Sequence, residues 1–576
     1  MSNTEETKVE GVERWRFALV LTVFALLLLV VAGRMVMLHT IEQPFLFEQG
    51  EKRTVRSEVQ MASRGNITDR FGSPLAVSTP VVTLWVNPQQ VDPRKLTSVA
   101  KMLNINSREL IRKVDRVARQ GRSFYYIKRQ VQPEIAEQIL SQKIAGLYGD
   151  DDFRRYYPAA EITAHTVGLV NIDGKGQEGL ELAFEDHLKG SNGSRQVVKD
   201  LFGNVIKQLG VDSVAKPGND LALTIDLRLQ YLAYRELKAI VQSHHAAAGS
   251  AVMLDAKTGE ILALVSQPSY NPNNRATLKP QHMRNRAIAD LIEPGSTMKP
   301  FTVAAALESG KYSANTPVNT SPGYVRIKNK TIRDHRDYGV LDLTGIITKS
   351  SNVGVSYLAR DLGAESIWQF FSHAGMGNPG TLGFPGEAVS SIPYPEQLDD
   401  LRLSTVSYGY GLSVSPLQLA ETYTSFFDGC RQHVSLLLEQ VGSQECEPVM
   451  SKRTARQMLN MLETVVSLKG TGKRAAVDGY RVGGKTGTAH KIGRGGYEDS
   501  EYTAVFAGLA PLTDPDLVLV VVVDDPKGQE YYGGEVAAPV FAKIMADALR
   551  LRGVPPDAGD RAKQIVLSRQ EADLGA

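Results

Sequence analysis

The stretch EPGSTMKPFTVAAALESG (293–310) decides how this chain is read. Glu-Pro-Gly is a turn signal, and the run of small and apolar residues behind it, ending at Gly310, predicts a buried helix. Ser296 stands at the start of that helix, where unpaired backbone N–H groups and the dipole favour developing negative charge. Lys299 follows at i+3, on the same helical face. A lysine partly desolvated beside another cation has a lowered pKa and, left unprotonated, can accept the serine proton, so this pair can form an acyl-enzyme without histidine. Pro300 falls where the first turn tolerates it.

The Ser-x-x-Lys pattern is cheap, and context has to sort its copies. It also occurs at Ser98/Lys101, on a small surface helix, and at Ser213/Lys216, in a loop running into Pro217-Gly218. Ser-x-Asn occurs at Ser269, Ser313 and Ser350, and Lys-Thr-Gly at Lys257 and Lys485. Lys257-Thr258-Gly259 reads as the turn of a hairpin. Context sets one group of copies apart. Ser350-Ser351-Asn352 lies 54 residues beyond Ser296, between a turn and a new helix. Lys485-Thr486-Gly487-Thr488 comes after another 135, behind glycines that suggest a strand whose backbone approaches a ligand.

Around these motifs the chain reads as an α+β domain. LALTID (221–226) is a strand pattern followed by a helix, and GSAVMLDAKTGEILALVS (249–266) is a hairpin. YTAVFAGLAP (502–511) and LVLVVVVDD (517–525) are two more strands, the second apolar on both faces. PVFAKIMADALRLRG (539–553) is an amphipathic helix with Pro at its start and Gly at its end. Strands at both ends with helices between imply one sheet assembled from distant segments. Residues 39–219 are of mixed texture, with helical PRKLTSVAKMLN (93–104) and PEIAEQILSQKI (133–144) and a strand VVTLWV (81–86).

The trio resembles that of the penicillin-binding protein and serine β-lactamase superfamily. The resemblance extends over about residues 40 to 553. ASRGNITDRFGSPLA (62–76), Arg155-Tyr156-Tyr157-Pro158 with His165 and Gly168, Gly179-Leu180-Glu181, YGYGLSVSPLQLA (408–420) and YYGGEVAAPVFAKI (531–544) are similar to class B members, most of all to the division-specific transpeptidases. It implies an antiparallel sheet flanked by helices at 220–553, an elongated N-terminal α+β pedestal of the class B dimerisation type at 39–219, and a flexible tail at 554–576. FEDHLKG (184–190) lacks the glycosyltransferase signature of bifunctional relatives, so glycan polymerisation is not expected.

By the same resemblance, Ser296 is the nucleophile toward a D-Ala-D-Ala stem peptide, Lys299 takes its proton and Ser350 relays one to the leaving D-alanine. Asn352, Lys485, Thr486, Gly487 and Thr488 bind substrate, with the N–H groups of Ser296 and Thr488 as oxyanion hole. Tyr408, Tyr410, Tyr531, Tyr532 and His490 are candidate cleft residues, with packing as the alternative. Expected partners are peptidoglycan stem peptides, β-lactams, a membrane glycan polymerase and division-complex proteins. A side-wall transpeptidase, a β-lactamase and a β-lactam sensor or scaffold stand as alternatives.

The compartment rests on FALVLTVFALLLLVVAG, the uncharged residues 17–33. Seventeen residues reach about 25 Å, and continuing through Leu38 spans a bilayer core of about 30 Å. The expected topology is a cytoplasmic tail at 1–16, an inner-membrane anchor at 17–38 and a periplasmic remainder, with a signal peptide cleaved after Val31-Ala32-Gly33 as the competing reading. With 65 basic and 63 acidic residues, the balance calls for no nucleic acid. Ten scattered histidines and two cysteines, Cys430 and Cys446, make no metal site, and no cofactor is expected. Free thiols and a disulfide both remain open.

Overall fold

The structure, a computed structural model, describes residues 14–45, 55–199, 205–380, 382–442, 444–493 and 496–559. Expectations for residues 1–13 and 560–576 lie outside the described residues. The chain forms two compact units.

The first unit comprises Met1–Ala62, Val81–Asp152 and Ser191–Lys216. Its helix α1 (Arg14–Thr40) has 27 residues and no buried side chain. It is the one described helix long and apolar enough to cross a membrane. Val55–Gln60, Gly193–Lys199 and Val205–Ser213 make a three-stranded antiparallel sheet. Ser213, expected in a loop, therefore ends a strand, because it pairs with Ser194. Residues 93–104 open with a 3-10 turn, Pro93–Lys95, and continue as the helix Leu96–Met102, which buries Leu96, Val99 and Ala100. The helix Pro133–Leu140 stops short of residue 144, where Lys143 turns to φ +48°.

The second unit comprises Ser63–Pro80, Phe153–Gly190 and Pro217–Ala576. Three of its early motif residues meet in a charge cluster. Fully buried Glu181 accepts from Arg64 Nε at 2.5 Å and from Arg155 Nε at 2.6 Å. A buried carboxylate is tolerable only when so paired, and removing either arginine leaves charge stranded.

Beyond these lies the main sheet. Of the expected strand 221–226 only Leu221–Ala222 pairs as one; Thr224 turns its hydroxyl to the carbonyls of Ile261 and Ser435, and Asp226 caps α2 (Leu227–Ser243). The hairpin is present as β1 (Ala248–Asp255) and β2 (Ile261–Gln267), turning at Gly259 with φ +74°. Later strands are β3 (Gly483–Gly493), β4 (Gly496–Ala510) and β5 (Leu517–Asp524), with order β2-β1-β5-β4-β3, all antiparallel. β5 sits at the centre and is buried on both faces, which explains its unbroken apolar sequence. Met253, Val521 and Phe506 pack with α2 and α6 (Gly533–Leu551) on one side. Val252, Val520 and Val505 pack on the other, in the core that holds Phe301 and Tyr423.

Two details complete the fold. Cys430 and Cys446 are joined by a disulfide. The start of the tail is fixed rather than loose: Tyr480 donates to the Val554 carbonyl at 2.7 Å, and Asp557 accepts from the Arg481 N–H at 2.7 Å.

Candidate active site

Ser296 is half-buried in the 3-10 turn Gly295–Met298, which runs directly into α3 (Lys299–Glu308). The turn is pinned locally. Gly295 takes φ +55° and donates its N–H to the Gly409 carbonyl at 3.1 Å, and Thr297 donates its hydroxyl to the Pro294 carbonyl at 2.7 Å. Most of α3 is buried, so Lys299 is carried into the interior with it.

Lys299 Nζ donates to the carbonyl of Ser350 and to its hydroxyl, the latter at 3.0 Å. Lys485 Nζ donates to the same hydroxyl at 2.9 Å. The Ser350 Oγ thus accepts from two amines, and both of its lone pairs are engaged while its own proton stays available. The hydroxyl of Ser296 is not among the hydrogen-bond partners of Lys299, which instead meets the site through Ser350. Ser350 itself is left-handed, φ +57° and ψ +43°, at the end of the helix Leu343–Lys349. A non-glycine residue held there costs about 1–3 kcal/mol, a strain typical of functional positions.

Both lysines are hard to keep charged in this place. Burial lowers Lys299 to about 7, opposed by the negative charge of Asp334. Burial also pushes Lys485 well below its ordinary value, and the charge of Lys299 pushes it further. Burial disfavours protonation of both amines, and the charge of Lys299 disfavours that of Lys485 further, so the site favours neutral amines.

Asp334 carried no motif in the sequence, yet it organises the Ser-Ser-Asn segment. Its carboxylate accepts from the Ser351 hydroxyl at 2.6 Å and from the N–H groups of Asn352 and Val353 at 2.5 and 3.1 Å. A carboxylate at the N-terminus of α4 (Asn352–Leu362) satisfies donors that the helix leaves open. Asn352 itself donates Nδ2 to the Arg333 carbonyl at 2.9 Å.

Lys485 through Thr488 lie on β3, an edge strand of the sheet. The glycine at 487 is required by closeness: a Cβ there would stand 2.7 Å from the Pro294 carbonyl oxygen. That contact sets the strand against the Ser296 turn. Thr486 shares a hydroxyl hydrogen bond with Thr471 at 2.8 Å, and Thr488 Oγ1 accepts from the Gly533 N–H at 2.9 Å. Tyr410 reaches the Thr488 carbonyl at 3.4 Å, while Tyr408 is buried edge-on against it. His490 packs on Tyr502, and Tyr502, Tyr531 and Tyr532 stack in sequence at 4.4 Å centroid spacing.

Two of the other motif copies are engaged elsewhere. Ser98 bonds Gln142 and the Lys95 carbonyl, and Lys257 pairs with Asp514 beside the hairpin turn. Among the described residues no group of three or more His, Cys, Asp or Glu is placed to hold a metal.

Comparison with known proteins identifies the family. The family described as "Penicillin binding protein transpeptidase domain" matches residues 249–546, and "Penicillin-binding Protein dimerisation domain" matches residues 59–223. The chain is 41% identical over 546 residues to the probable peptidoglycan D,D-transpeptidase PbpC of Pseudomonas aeruginosa, covering 94% of this chain and 96% of the relative. It is 40% identical over 572 residues to peptidoglycan D,D-transpeptidase FtsI of Escherichia coli K12, covering 97% and 96%. The apo transpeptidase domain of Burkholderia pseudomallei penicillin-binding protein 3 superposes with a TM-score of 0.53 at 41% identity, over 58% of this chain and 97% of that one. A peptidoglycan synthetase from Bifidobacterium adolescentis gives 0.68 at 25% identity, over 87% and 98%.

Proposed function

Since the chain belongs to the class B penicillin-binding proteins, we propose that it is a peptidoglycan D,D-transpeptidase that cross-links stem peptides through a Ser296 acyl-enzyme in septal wall synthesis, and that β-lactams trap it there. The observation that carries this reading is the single hydroxyl of Ser350 held between the amines of Lys299 and Lys485, beside the Ser296 turn.

In the reaction, Ser296 Oγ attacks the carbonyl carbon of the penultimate D-alanine, and its proton passes to the neutral amine of Lys299. The tetrahedral oxyanion is received by the N–H groups of Ser296 and Thr488, each donor contributing about 3 kcal/mol. The amide C–N bond then breaks, and Ser350 hands the leaving amine its proton, resupplied through the lysine contacts. Lys485, Thr486 and Gly487 hold the terminal carboxylate, and Asn352 the peptide amide. An amine from a neighbouring stem peptide attacks the ester, forms the new amide and returns Ser296 to its hydroxyl form.

Topology follows the same reading. A helix α1 of 27 residues is about 40 Å long, enough to cross a bilayer, and none of its side chains is buried by protein. We assign residues 1–16 to a cytoplasmic tail, 17–38 to the anchor, 39–219 to a pedestal, 220–553 to the transpeptidase domain and the rest to a terminal tail, with the catalytic domain in the periplasm. The Cys430–Cys446 disulfide supports an oxidising compartment. A membrane glycan polymerase and division proteins are the partners that this placement serves.

The test is labelling with fluorescent penicillin, followed by decay of the signal. Stable labelling of the parent protein, its loss in Ser296→Ala, and turnover of a thioester donor are the expected results. Labelling of the alanine variant refutes the assignment of the nucleophile, and loss of label within seconds refutes a transpeptidase in favour of a hydrolase.

A further inference from the structure

The motif residues explain what reacts but not what holds the reacting turn still. Ser296 sits in a short 3-10 turn, and such turns have poorer hydrogen-bond geometry than an α-helix and need outside support. One support comes from α5 (Pro416–Thr424), about 120 residues downstream, every residue of which is buried. Its Tyr423 is completely enclosed, and its hydroxyl donates to the carbonyl of Thr297 at 2.8 Å. Thr297 is the residue next to the nucleophile, and that carbonyl belongs to the peptide leading toward Lys299.

The rest of the tyrosine is fixed in turn. Its ring meets Phe301 of α3 edge-on at 5.5 Å and Phe426 edge-on at 5.3 Å, while Phe301 and Phe426 lie 4.7 Å apart. The start of α5 is closed by a capping box between Ser415 and Gln418, and its middle is tied through Glu421 to the buried Arg431, beside the disulfide. A phenol hydroxyl in an apolar aromatic cluster has to find a partner, because leaving it unpaired costs stability. Phenylalanine would fill the same space at less polar cost, so packing alone gives no reason for the hydroxyl.

The geometry points to Tyr423 as a positioning residue for the acylation reaction: it touches no substrate and acts through the Thr297 carbonyl to hold Ser296 in register with Lys299 and Ser350. This deepens the transpeptidase reading above and rests on it. The mechanism is steric and electrostatic at once. The hydrogen bond fixes the rotation of the 297–298 peptide, and with it the direction in which the preceding serine presents its oxygen. Misplacing a nucleophile by a fraction of an ångström lowers the rate of the chemical step more than it lowers ligand affinity.

The experiment compares Tyr423→Phe with Phe426→Leu in the full-length protein in detergent, using penicillin acylation kinetics and thermal melting. The phenylalanine variant removes one oxygen, and the leucine variant disturbs the same aromatic cluster without touching the hydrogen bond. Tyr423→Phe is expected to slow the first-order acylation step about tenfold while the preceding non-covalent dissociation constant stays near the parent value. Phe426→Leu is expected to lower the melting temperature further and the acylation rate less. Equal acylation rates for Tyr423→Phe and the parent overturn the inference, and so does a Phe426→Leu variant slowed as much as Tyr423→Phe. A Tyr423→Phe protein without a cooperative melt also overturns it, since the hydroxyl would then hold the fold and not the turn. If the parent itself is never acylated, the transpeptidase reading falls first and this role falls with it.

Discussion

At the scale of single residues, the site is governed by how two amines share a proton-poor interior. Lys299 has a pKa of about 7, lowered by burial and held up only by Asp334. Its neutral form is the base, so acylation should climb about tenfold per pH unit below that value and level off above it. Neutralising Asp334 removes the one charge that raises Lys299, so in Asp334→Asn the midpoint of the profile should move to lower pH. The plateau should fall about tenfold as well, because the N–H groups of Asn352 and Val353 lose a charged acceptor. A pH–rate profile of penicillin acylation checks both; a midpoint moving upward contradicts the assigned electrostatics. The meeting of Lys299, Ser350 and Lys485 was legible in sequence because the proposed chemistry asks for those side chains in those motifs. Asp334 and Tyr423 were not, since each works through backbone groups of residues remote in the chain, and any sequence leaves such contacts unmarked.

At the scale of elements, the Ser296 turn is clamped between three pieces of chain that meet only after folding. Gly409 supplies the clearest constraint. It takes φ +86°, and a Cβ there would lie 2.1 Å from the Gly295 carbonyl oxygen. Gly409→Ala is therefore expected to shove the turn away from β3, cutting acylation by at least tenfold and lowering the melting temperature by about 5 °C. Unchanged acylation with an unchanged melt would show that the turn and residues 408–410 move independently. The strands 502–511 and 517–525 were readable from their apolar runs, and the hairpin from its turn residues. LALTID was misread beyond Ala222, because an alternating pattern suits any chain whose backbone alternately faces a core, and Thr224 spends its hydrogen bonds on Ile261 and Ser435. Val205–Ser213 was missed as a strand; its residues are exposed throughout, so no buried stripe announced it.

At the scale of the whole molecule, the residues of the candidate site and the long apolar helix α1 occupy separate compact units. Ser296, Ser350 and Lys485 all belong to the second, and no residue of α1 enters a described hydrophobic core. Removing residues 1–40 should therefore yield a protein that stays in solution and is acylated at the parent rate, as measured by fluorescent penicillin after ultracentrifugation. Loss of acylation in that variant would make the anchor part of the catalytic fold. The α+β architecture was legible because strand-like runs bracket the helical middle, a pattern few topologies satisfy. The order of strands was not, since it depends on which distant runs pair.

The placement of β3 at the border of the sheet carries a lesson for drug escape. A strand with one neighbour leaves alternate main-chain groups open on its other side. A compound gripping only those peptide groups offers a mutating gene no side chain to discard, whereas one leaning on Tyr531 or Tyr532 offers two.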